Sequence, residues 1–230
     1  MRIRGAGVPG VERRVVLWGG ALAGPVFVLI YTIEGGRREG YDSVRHPVSS
    51  LALGPRGWVQ RLNFTSTGIA YLGLAWGLRE QPTGDAFLSP LVAAAGVGLL
   101  VSAAAQTDPV SGYPPHTLPR PSPPTREGTI HDLGALPVFL GIPAACVISA
   151  TQARSRNELR WAGWSLAAAS SALAMLGLSV AAFEQRQSLV RCGGLFQRAA
   201  ATSCLLWLTT LAARSLRPTH STRPAVTNNY

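Results

Sequence analysis

The sequence predicts an all-α fold, a polytopic membrane bundle of six transmembrane helices, from three observations. Of the 230 residues, 47% are hydrophobic. Only 14% are charged, against about 25% in typical soluble domains. The apolar residues are concentrated in six runs, and each run is long enough to cross a bilayer as a helix of roughly 17–25 residues.

Polar segments separate the six runs from one another. In chain order the runs are residues 15–33, 62–78, 87–105, 133–150, 161–183 and 195–216. The first five contain no charged residue, and the sixth contains only Arg198 near its start and Arg214 near its end. The second run is the weakest, because it is short and polar at its start. The first run is too long for the apolar region of a cleavable signal peptide, so it predicts a signal anchor.

The runs divide the chain into three parts. Residues 1–14 are predicted to be a basic cytoplasmic segment, residues 15–216 a transmembrane domain, and residues 217–230 a disordered tail. Small residues at helical spacing occur within the runs. The sets Gly20 and Gly24, and Gly163, Ala167 and Ser171, predict faces where helices pack closely in lipid.

The charge and the cysteines exclude two other classes of protein. The net charge is +10, and all 21 basic residues are arginine. These arginines cluster between the apolar runs and do not line a helical face, so no nucleic acid partner is expected. Cys146, Cys192 and Cys204 lie in or near apolar runs without metal or redox spacing. We interpret them as buried thiols and not as a disulfide framework.

The orientation follows from the arginines. Six spans place both termini on one side, and that side carries 11 of the 21 arginines. The first run is preceded by Arg2, Arg4, Arg13 and Arg14, and this concentration favours the cytoplasm for the side of the termini. The protein is therefore predicted to lie in the cell membrane as a multi-pass protein with both termini cytoplasmic.

The opposite side gathers the groups that could carry chemistry. It holds seven of the 11 acidic residues and three of the four histidines, and each predicted helix brings a polar group to it. Polar groups at this depth are costly unless they face a cavity or one another. We therefore predict a polar site at this end. The catalytic candidates are His131, Asp108, Glu34 and His46. The ligand-binding candidates are Arg38, Asp42, Arg45, Ser49, Ser50, Gln60, Asn63, Asp132 and Gln197.

Residues 32–64, "TIEGGRREGYDSVRHPVSSLALGPRGWVQRLNF", are central to this site. One interpretation is a lid that neutralises its own charges through pairs such as Glu34 with Arg38. The other is an arginine clamp for a phosphate or carboxylate. We expect one shared, hydrogen-bonded cavity, lined by residues from two parts of the chain. They are Glu34, Arg38, Asp42, Arg45 and His46 from the first part, and Asp108, His131 and Asp132 from the second.

Three catalytic arrangements are conceivable at this end. Ser49 or Ser50 with His46 could form a nucleophile pair, although no oxyanion motif accompanies them. His46, His116 and His131 lack metal-ligand spacing such as HExxH, so neither a metal nor another cofactor is predicted. Acid–base chemistry by His131 beside an acidic residue is the easiest of the three, because histidine titrates near neutrality.

Four segments resemble one family of membrane proteins. They are residues 32–64, "TDPVSGYPP", "PTREGTIHDLGALPVFLGIPAAC" and "GLFQR". Together they are similar to the family named domain of unknown function 998. The resemblance implies a six-helix integral membrane protein, mostly bacterial, and supplies no reaction. This chain departs from the family at Glu127, where a histidine is expected, and in a proline-rich linker.

The resulting prediction is an integral membrane protein of unknown function. We expect its polar site to bind or act on an amphipathic lipid or isoprenoid, and we expect the protein to be embedded in the lipid bilayer. A small-molecule transporter stays open, since Pro25, Pro137 and Pro143 interrupt two of the runs. No ionisable residue lies in the middle of a span, which disfavours coupled transport. A partner or sensor subunit also stays open, and the sequence predicts no oligomeric state.

Overall fold

The protein is an all-α bundle, seen in a computed structural model that describes residues 10–79, 85–119 and 123–216. Its six long helices are α1 (Gly10–Arg37), α2 (Gly57–Leu78), α3 (Ser89–Ala104), α4 (Arg126–Ser155), α5 (Leu159–Phe183) and α6 (Gly193–Ser215). The described residues contain no strand, and the predicted fold class is confirmed. The predicted disordered tail, residues 217–230, lies outside the described residues, as do residues 1–9 of the predicted basic segment.

Length and composition make this a membrane bundle. By those criteria, four helices could cross a membrane among the described residues: Gly10–Arg37, Ala86–Ala104, Arg126–Ser155 and Leu159–Phe183. The other two, α2 and α6, have 22 and 23 residues and carry polar side chains near their starts. Large apolar side chains such as Leu22, Leu29 and Ile69 are more than half exposed on the outside of the bundle. A bilayer is a suitable surrounding for such a surface, whereas water is not.

The helices form a closed ring in which each one packs against its neighbours in sequence. The ring closes because α6 packs against α1. An even number of helices brings Gly10 and Ser215 to the same end. Arg13 at the start of α1 donates to the carbonyl of Gly77 at 3.1 Å and to that of Ser215 at 3.5 Å. We call this the terminal end, and the opposite one, which holds residues 38–56 and 105–119, the loop end.

The fourth helix contains a π turn at Pro137–Gly141, where the amide of Ile142 donates to the carbonyl of Pro137. Pro137 and Pro143 have no amide hydrogen to donate, so they interrupt the α-helical ladder. A π turn accommodates the interruption without ending the helix. The two prolines therefore reshape α4 beside the site but leave it continuous.

Glycines bring neighbouring helices into backbone contact. A Cβ on Gly98 would lie 2.2 Å from the carbonyl oxygen of Gly134, so α3 and α4 can cross here only because both residues are glycine. Gly68 and Gly96 form a similar contact between α2 and α3, at 2.8 Å in either direction. Small residues permit such close approach in membrane bundles.

The predicted small-residue faces are only partly correct. A Cβ on Gly20 would lie 2.8 Å from Cβ of Leu74, and one on Gly24 would lie 3.0 Å from the carbonyl oxygen of Leu205. Both positions are close helix contacts, as expected. Gly163 has open space around it, so the prediction for the start of the α5 face was wrong. Spacing alone does not show whether a glycine faces a helix or lipid.

The half of the bundle nearer the termini is packed with large apolar side chains. Its fully buried members include Leu17, Tyr71, Leu74, Leu78, Leu88, Trp207, Leu208 and Leu211. The indole of Trp207 donates to Ser165 Oγ at 3.0 Å, which satisfies the one polar atom of that side chain. Cys146 and Cys204 are buried free thiols, and Cys192 is a partly exposed one.

Candidate functional site

The chain after α1 folds over the loop end, and we call residues 38–56 the cap. Two charged residues of the cap bind to Glu34 in the last turn of α1, which is only 3% exposed. Glu34 Oε1 accepts from Arg38 Nε and Nη2 at 3.2 and 3.1 Å. Both carboxylate oxygens accept from Arg56, at 2.9 Å from Nε and 2.8 Å from Nη2. One buried carboxylate thus holds two arginines, which is the geometry that makes a buried charge tolerable.

Arg38 also fastens the inner turn of the cap. Its Nη1 donates to the carbonyl of Leu53 at 2.7 Å, and its Nη2 donates to that of Leu51 at 2.9 Å. The side chain is 8% exposed. Arg38 is therefore engaged with Glu34 and with the cap itself. This arrangement corresponds to the self-neutralised lid and not to an open arginine clamp.

Arg198 of α6 fixes the outer part of the cap. Its Nη1 donates to the carbonyls of Ser43, His46 and Gly194, and its Nη2 donates to Tyr41 Oη. Backbone bonds join the same two segments, from Gly194 N to Arg45 O at 3.0 Å and from Leu195 N to Val44 O at 2.8 Å. The cap is therefore docked on the first turn of α6.

His46 lies inside the docked cap. Its Nδ1 accepts from the amide of Asp42 at 2.9 Å, and its ring packs against Tyr41 and Tyr113, with centroids 5.5 and 5.3 Å away. Burial, with the charge of Arg45 beside it, lowers the pKa of His46 below its ordinary value. The neutral ring is thus favoured. Burial also raises the pKa of Tyr41 to about 12, so its phenol stays protonated.

Asp108 fastens the loop after α3 to the start of α4. Its Oδ2 accepts from the amide of Thr125 at 2.9 Å, and its Oδ1 accepts from Thr125 Oγ1 at 2.7 Å. Thr125 is the N-cap of α4 and accepts from the amide of Gly128 at 3.0 Å. A Cβ on Gly128 would lie 2.3 Å from Asp108 Oδ2, so glycine is required there. Asp108 is bound to this helix start, where a negative charge is favourable.

Two neighbouring cavities lie beneath the cap. The inner cavity, about 90 Å³, is at the centre of the ring and is lined by α1, α2, α3, α4 and α6. The outer cavity, about 450 Å³, lies between α4 and α5. The residues that line both are Ser49, Asp132, Ala135, Phe139 and Gln197. The shared wall joins a polar corner to an apolar interior.

His131 lies on the inner cavity and is 3% exposed. Its Nδ1 lies 3.1 Å from the carbonyl oxygen of Ala105, which can only accept a hydrogen bond. Nδ1 therefore carries the proton, and in the neutral ring Nε2 carries a lone pair. Phe64 packs edge-on against the imidazole at a centroid distance of 5.9 Å. These two contacts hold the ring in one orientation.

The predicted site residues divide into separate groups instead of meeting in one shared cavity. Ser49, His131, Asp132 and Gln197 line the cavities. Glu34 pairs with Arg38, His46 accepts from the amide of Asp42, and Asp108 binds the start of α4. Arg45 contributes its backbone to the contact with α6. The expectation that Glu34, Arg38, Asp42, Arg45 and His46 would share one hydrogen-bonded cavity with Asp108, His131 and Asp132 was wrong. Glu34, Arg38 and Asp108 are instead satisfied by partners that lie close to each of them.

The remaining candidates are buried near the cavities. Asn63 Nδ2 donates to the carbonyl of Phe27 at 3.1 Å and lies 3.4 Å from Gln60 Oε1. Gln60 and Ser50 are fully buried. Gln197 Oε1 accepts from the amide of Val48 at 2.8 Å, which links the cavity wall to the cap. Among the described residues, no group of three His, Cys, Asp or Glu side chains is placed to hold a metal ion.

Sequence reasoning did not identify Arg56, Arg198 or Phe139 as site residues. A signal existed for Arg198, since it is an arginine inside an apolar run, and such residues normally have a polar partner. Phe139 gave no signal, because an aromatic residue in a membrane helix is ordinary. It lies in the π turn of α4 and lines both cavities.

The chain belongs to the family described as protein of unknown function (DUF998), whose model matches residues 21–214. The match covers most of the chain and confirms the resemblance predicted from the four segments. No curated protein and no solved structure matches the chain.

Proposed function

We propose that this member of the DUF998 family binds an amphipathic lipid or isoprenoid at the loop end. Its polar head would lie against Ser49, Asp132 and Gln197, and its hydrocarbon chain would lie in the outer cavity between α4 and α5. The observation that carries the proposal is the composition of that cavity. Its lining combines polar residues with a larger number of apolar ones from α4 and α5; the polar residues are Ser49, Thr107, Asp132, Ser179, Glu184 and Gln197.

The outer cavity is also placed for access from the bilayer. Leu136 and Leu140 of α4 and Val180 of α5 line it, and each is 45–48% exposed on the outside of the bundle. A cavity wall that continues into the lipid-facing surface favours a ligand with a chain in the membrane. A site for a polar metabolite would instead be expected to open into water.

The inner cavity adds a hydrogen-bond acceptor to the proposed site. The lone pair on His131 Nε2 suits a hydroxyl or another donor on the ligand head. The same nitrogen is the group best suited to act as a base if the ligand is also a substrate. Ligand binding alone explains the cavity, and no reaction is proposed.

The packing of the half near the termini disfavours a pore through the bundle. Leu17, Leu74, Leu78 and Leu208 are fully buried there and fill the interior below the inner cavity. In the described conformation the two cavities under the cap therefore have no continuation through this packed interior. This supports a binding site over a transport path.

The proposal can be tested by native mass spectrometry of the protein released from lipid nanodiscs. Ala135→Phe places a ring in the wall shared by both cavities. Ala174→Phe is the matched control, because Ala174 is exposed on α5. We expect the wild type and Ala174→Phe to retain a bound lipid or isoprenoid mass that Ala135→Phe loses. Equal retention by all three proteins would contradict the proposal.

A further inference from the structure

We propose a second ligand site at the opposite end of the bundle, a groove that binds the phosphate headgroup of an anionic phospholipid. The groove lies between α5 and α6 and has a volume of about 560 Å³. Its walls include Arg160, Trp161, Trp164, Leu206, Thr210 and Arg214. It shares no lining residue with the two cavities under the cap, so it is independent of the function proposed above.

The aromatic walls of this groove are held in place by hydrogen bonds. Trp161 Nε1 donates to Ser149 Oγ at 2.8 Å, and Trp164 Nε1 donates to Thr210 Oγ1 at 2.9 Å. Trp161 also stacks on Trp207 at a centroid distance of 6.0 Å. A preformed groove spares a ligand the cost of ordering its walls.

Two arginines give the groove its charge. Arg160 is exposed, and its guanidinium has no hydrogen bond or ion pair among the described residues. Arg214 pairs with Glu158 and lies over the Trp161 ring at 5.2 Å. Arg214 Nε is nevertheless buried without a hydrogen-bond partner in the described part of the chain. Two cations against one carboxylate leave the groove with a net positive charge, which favours a phosphate.

The start of α5 adds to the attraction for an anion. Glu158 is its N-cap, yet the side chain makes no capping hydrogen bond. Its carboxylate is instead bound to Arg214 at 2.5 Å. The first amides of a 25-residue helix are therefore left without a side-chain cap beside Arg160.

A phospholipid fits this groove better than a free anion does. The arginines lie at one end of the groove, and Leu206, which is 46% exposed, lies farther along α6 toward the middle of the bundle. Tryptophans are enriched where membrane meets water, and basic pockets between transmembrane helices bind anionic headgroups. The groove can therefore take a phosphate at the surface and an acyl chain beside it.

The test compares three ligands on the purified full chain in neutral detergent. Phosphatidylglycerol, phosphatidylcholine and inorganic phosphate are titrated, and binding is followed by native mass spectrometry for the lipids and by thermal shift for all three. We expect phosphatidylglycerol to bind and to raise Tm, with much weaker effects from phosphatidylcholine and phosphate. Equal binding of phosphatidylcholine would overturn the role of the headgroup charge. A full response to phosphate alone would replace the lipid with a free anion.

The matched variants are Arg160→Gln in the groove and Arg154→Gln on the same end. Arg154 is exposed and does not line the groove. We expect Arg160→Gln to weaken phosphatidylglycerol binding roughly fivefold, as the loss of one near-surface charge implies, and Arg154→Gln to leave it unchanged. An unchanged affinity in Arg160→Gln would overturn the proposal. An equal loss in both variants would show attraction by surface charge alone and would also overturn it.

Discussion

The two halves of this bundle bury different kinds of side chain. The half near the termini buries Leu74, Leu208 and other large apolar groups that fill the ring. The half near the loops buries Glu34, His46 and His131, and it contains two cavities. Polar groups at membrane depth are costly and usually functional. The contrast teaches that large apolar side chains stabilise the terminal half, and it supports the proposal that a lipid site lies in the loop half.

The largest expected effect comes from truncating the packed half. Leu74 is fully buried, so Leu74→Ala should lower the free energy of unfolding by about 4 kcal/mol. Phe139→Leu in the partly exposed cavity wall should cost less than about 1.5 kcal/mol, while reducing ligand retention. Denaturant unfolding in mixed micelles would measure both. Equal costs at the two positions would break the comparison.

The next effect concerns the buried charges of the loop half. Glu34→Gln removes the carboxylate that pairs with buried Arg38 and with Arg56, and Arg56 is half exposed. We expect a loss of about 3 kcal/mol, because one arginine keeps a buried charge without its partner. Glu39→Gln is the control, since Glu39 is exposed. If both variants unfold at the same denaturant concentration, the Glu34 cluster does not hold the cap.

A smaller effect is expected from the pH dependence of the cap. The lowered pKa of His46 means that the unfolded chain takes up a proton near pH 6.5, whereas the folded chain does so only at lower pH. This contribution to stability is complete above about pH 6.5 and is lost as the pH falls below it. The ionisable groups around the His46 imidazole are Asp42, Arg45, Arg198, Tyr41 and Tyr113.

Hydrogen exchange can measure the pH effect at three amides that join the cap to α6, those of Val48, Gly194 and Leu195. Their exchange, corrected for the intrinsic effect of pH, should become faster as the pH falls from 7.5 to 5. His116→Asn should behave like the wild type, because His116 is exposed. His46→Gln should remove the pH dependence. A pH effect that persists in His46→Gln would assign it to another group.

The orientation of the bundle in the membrane is predicted from the arginines, and cysteine labelling can test it. In a background without Cys146, Cys192 and Cys204, Ser43→Cys and Thr117→Cys should react with an impermeant thiol reagent in intact cells. Asn157→Cys should react only after lysis, as expected if the side of the termini is cytoplasmic. The reverse pattern would invert the orientation. Different labelling of the first two would contradict a common loop end.

Sequence patterns predicted the helices better than they predicted the contacts at the loop end. Runs of apolar residues indicate a span directly, since the bilayer sets the length. The pairing of Glu34 with Arg38 was also predictable, because residues four apart on a helix are neighbours. The bonds of Arg56 to Glu34 and of Arg198 to the cap were not predicted. Glu34 is 22 residues from Arg56 and Tyr41 is 157 residues from Arg198, so only the folded bundle brings them together.

The residues that line the cavities are even harder to predict from a sequence. A cavity is the space that side chains leave unfilled. Nothing in the sequence around Ala135 or Phe139 indicates that these residues line one. The crossing of α3 and α4 is similar, because Gly98 and Gly134 are two of 25 glycines. What the pattern did indicate was the end of the bundle where polar groups gather. That expectation led to Ser49, His131, Asp132 and Gln197.

Photo-crosslinking in proteoliposomes tests the central claim, that the loop half holds a cavity open to lipid, most directly. The probe is a phospholipid with a diazirine in its acyl chain, and the adducts are mapped by peptide mass spectrometry. We expect concentrated adducts in residues 132–140 and 176–184, lost in Ala135→Phe and retained in Ala174→Phe. Adducts confined to outward-facing residues such as Leu22 and Leu29, and unchanged by Ala135→Phe, would contradict the claim.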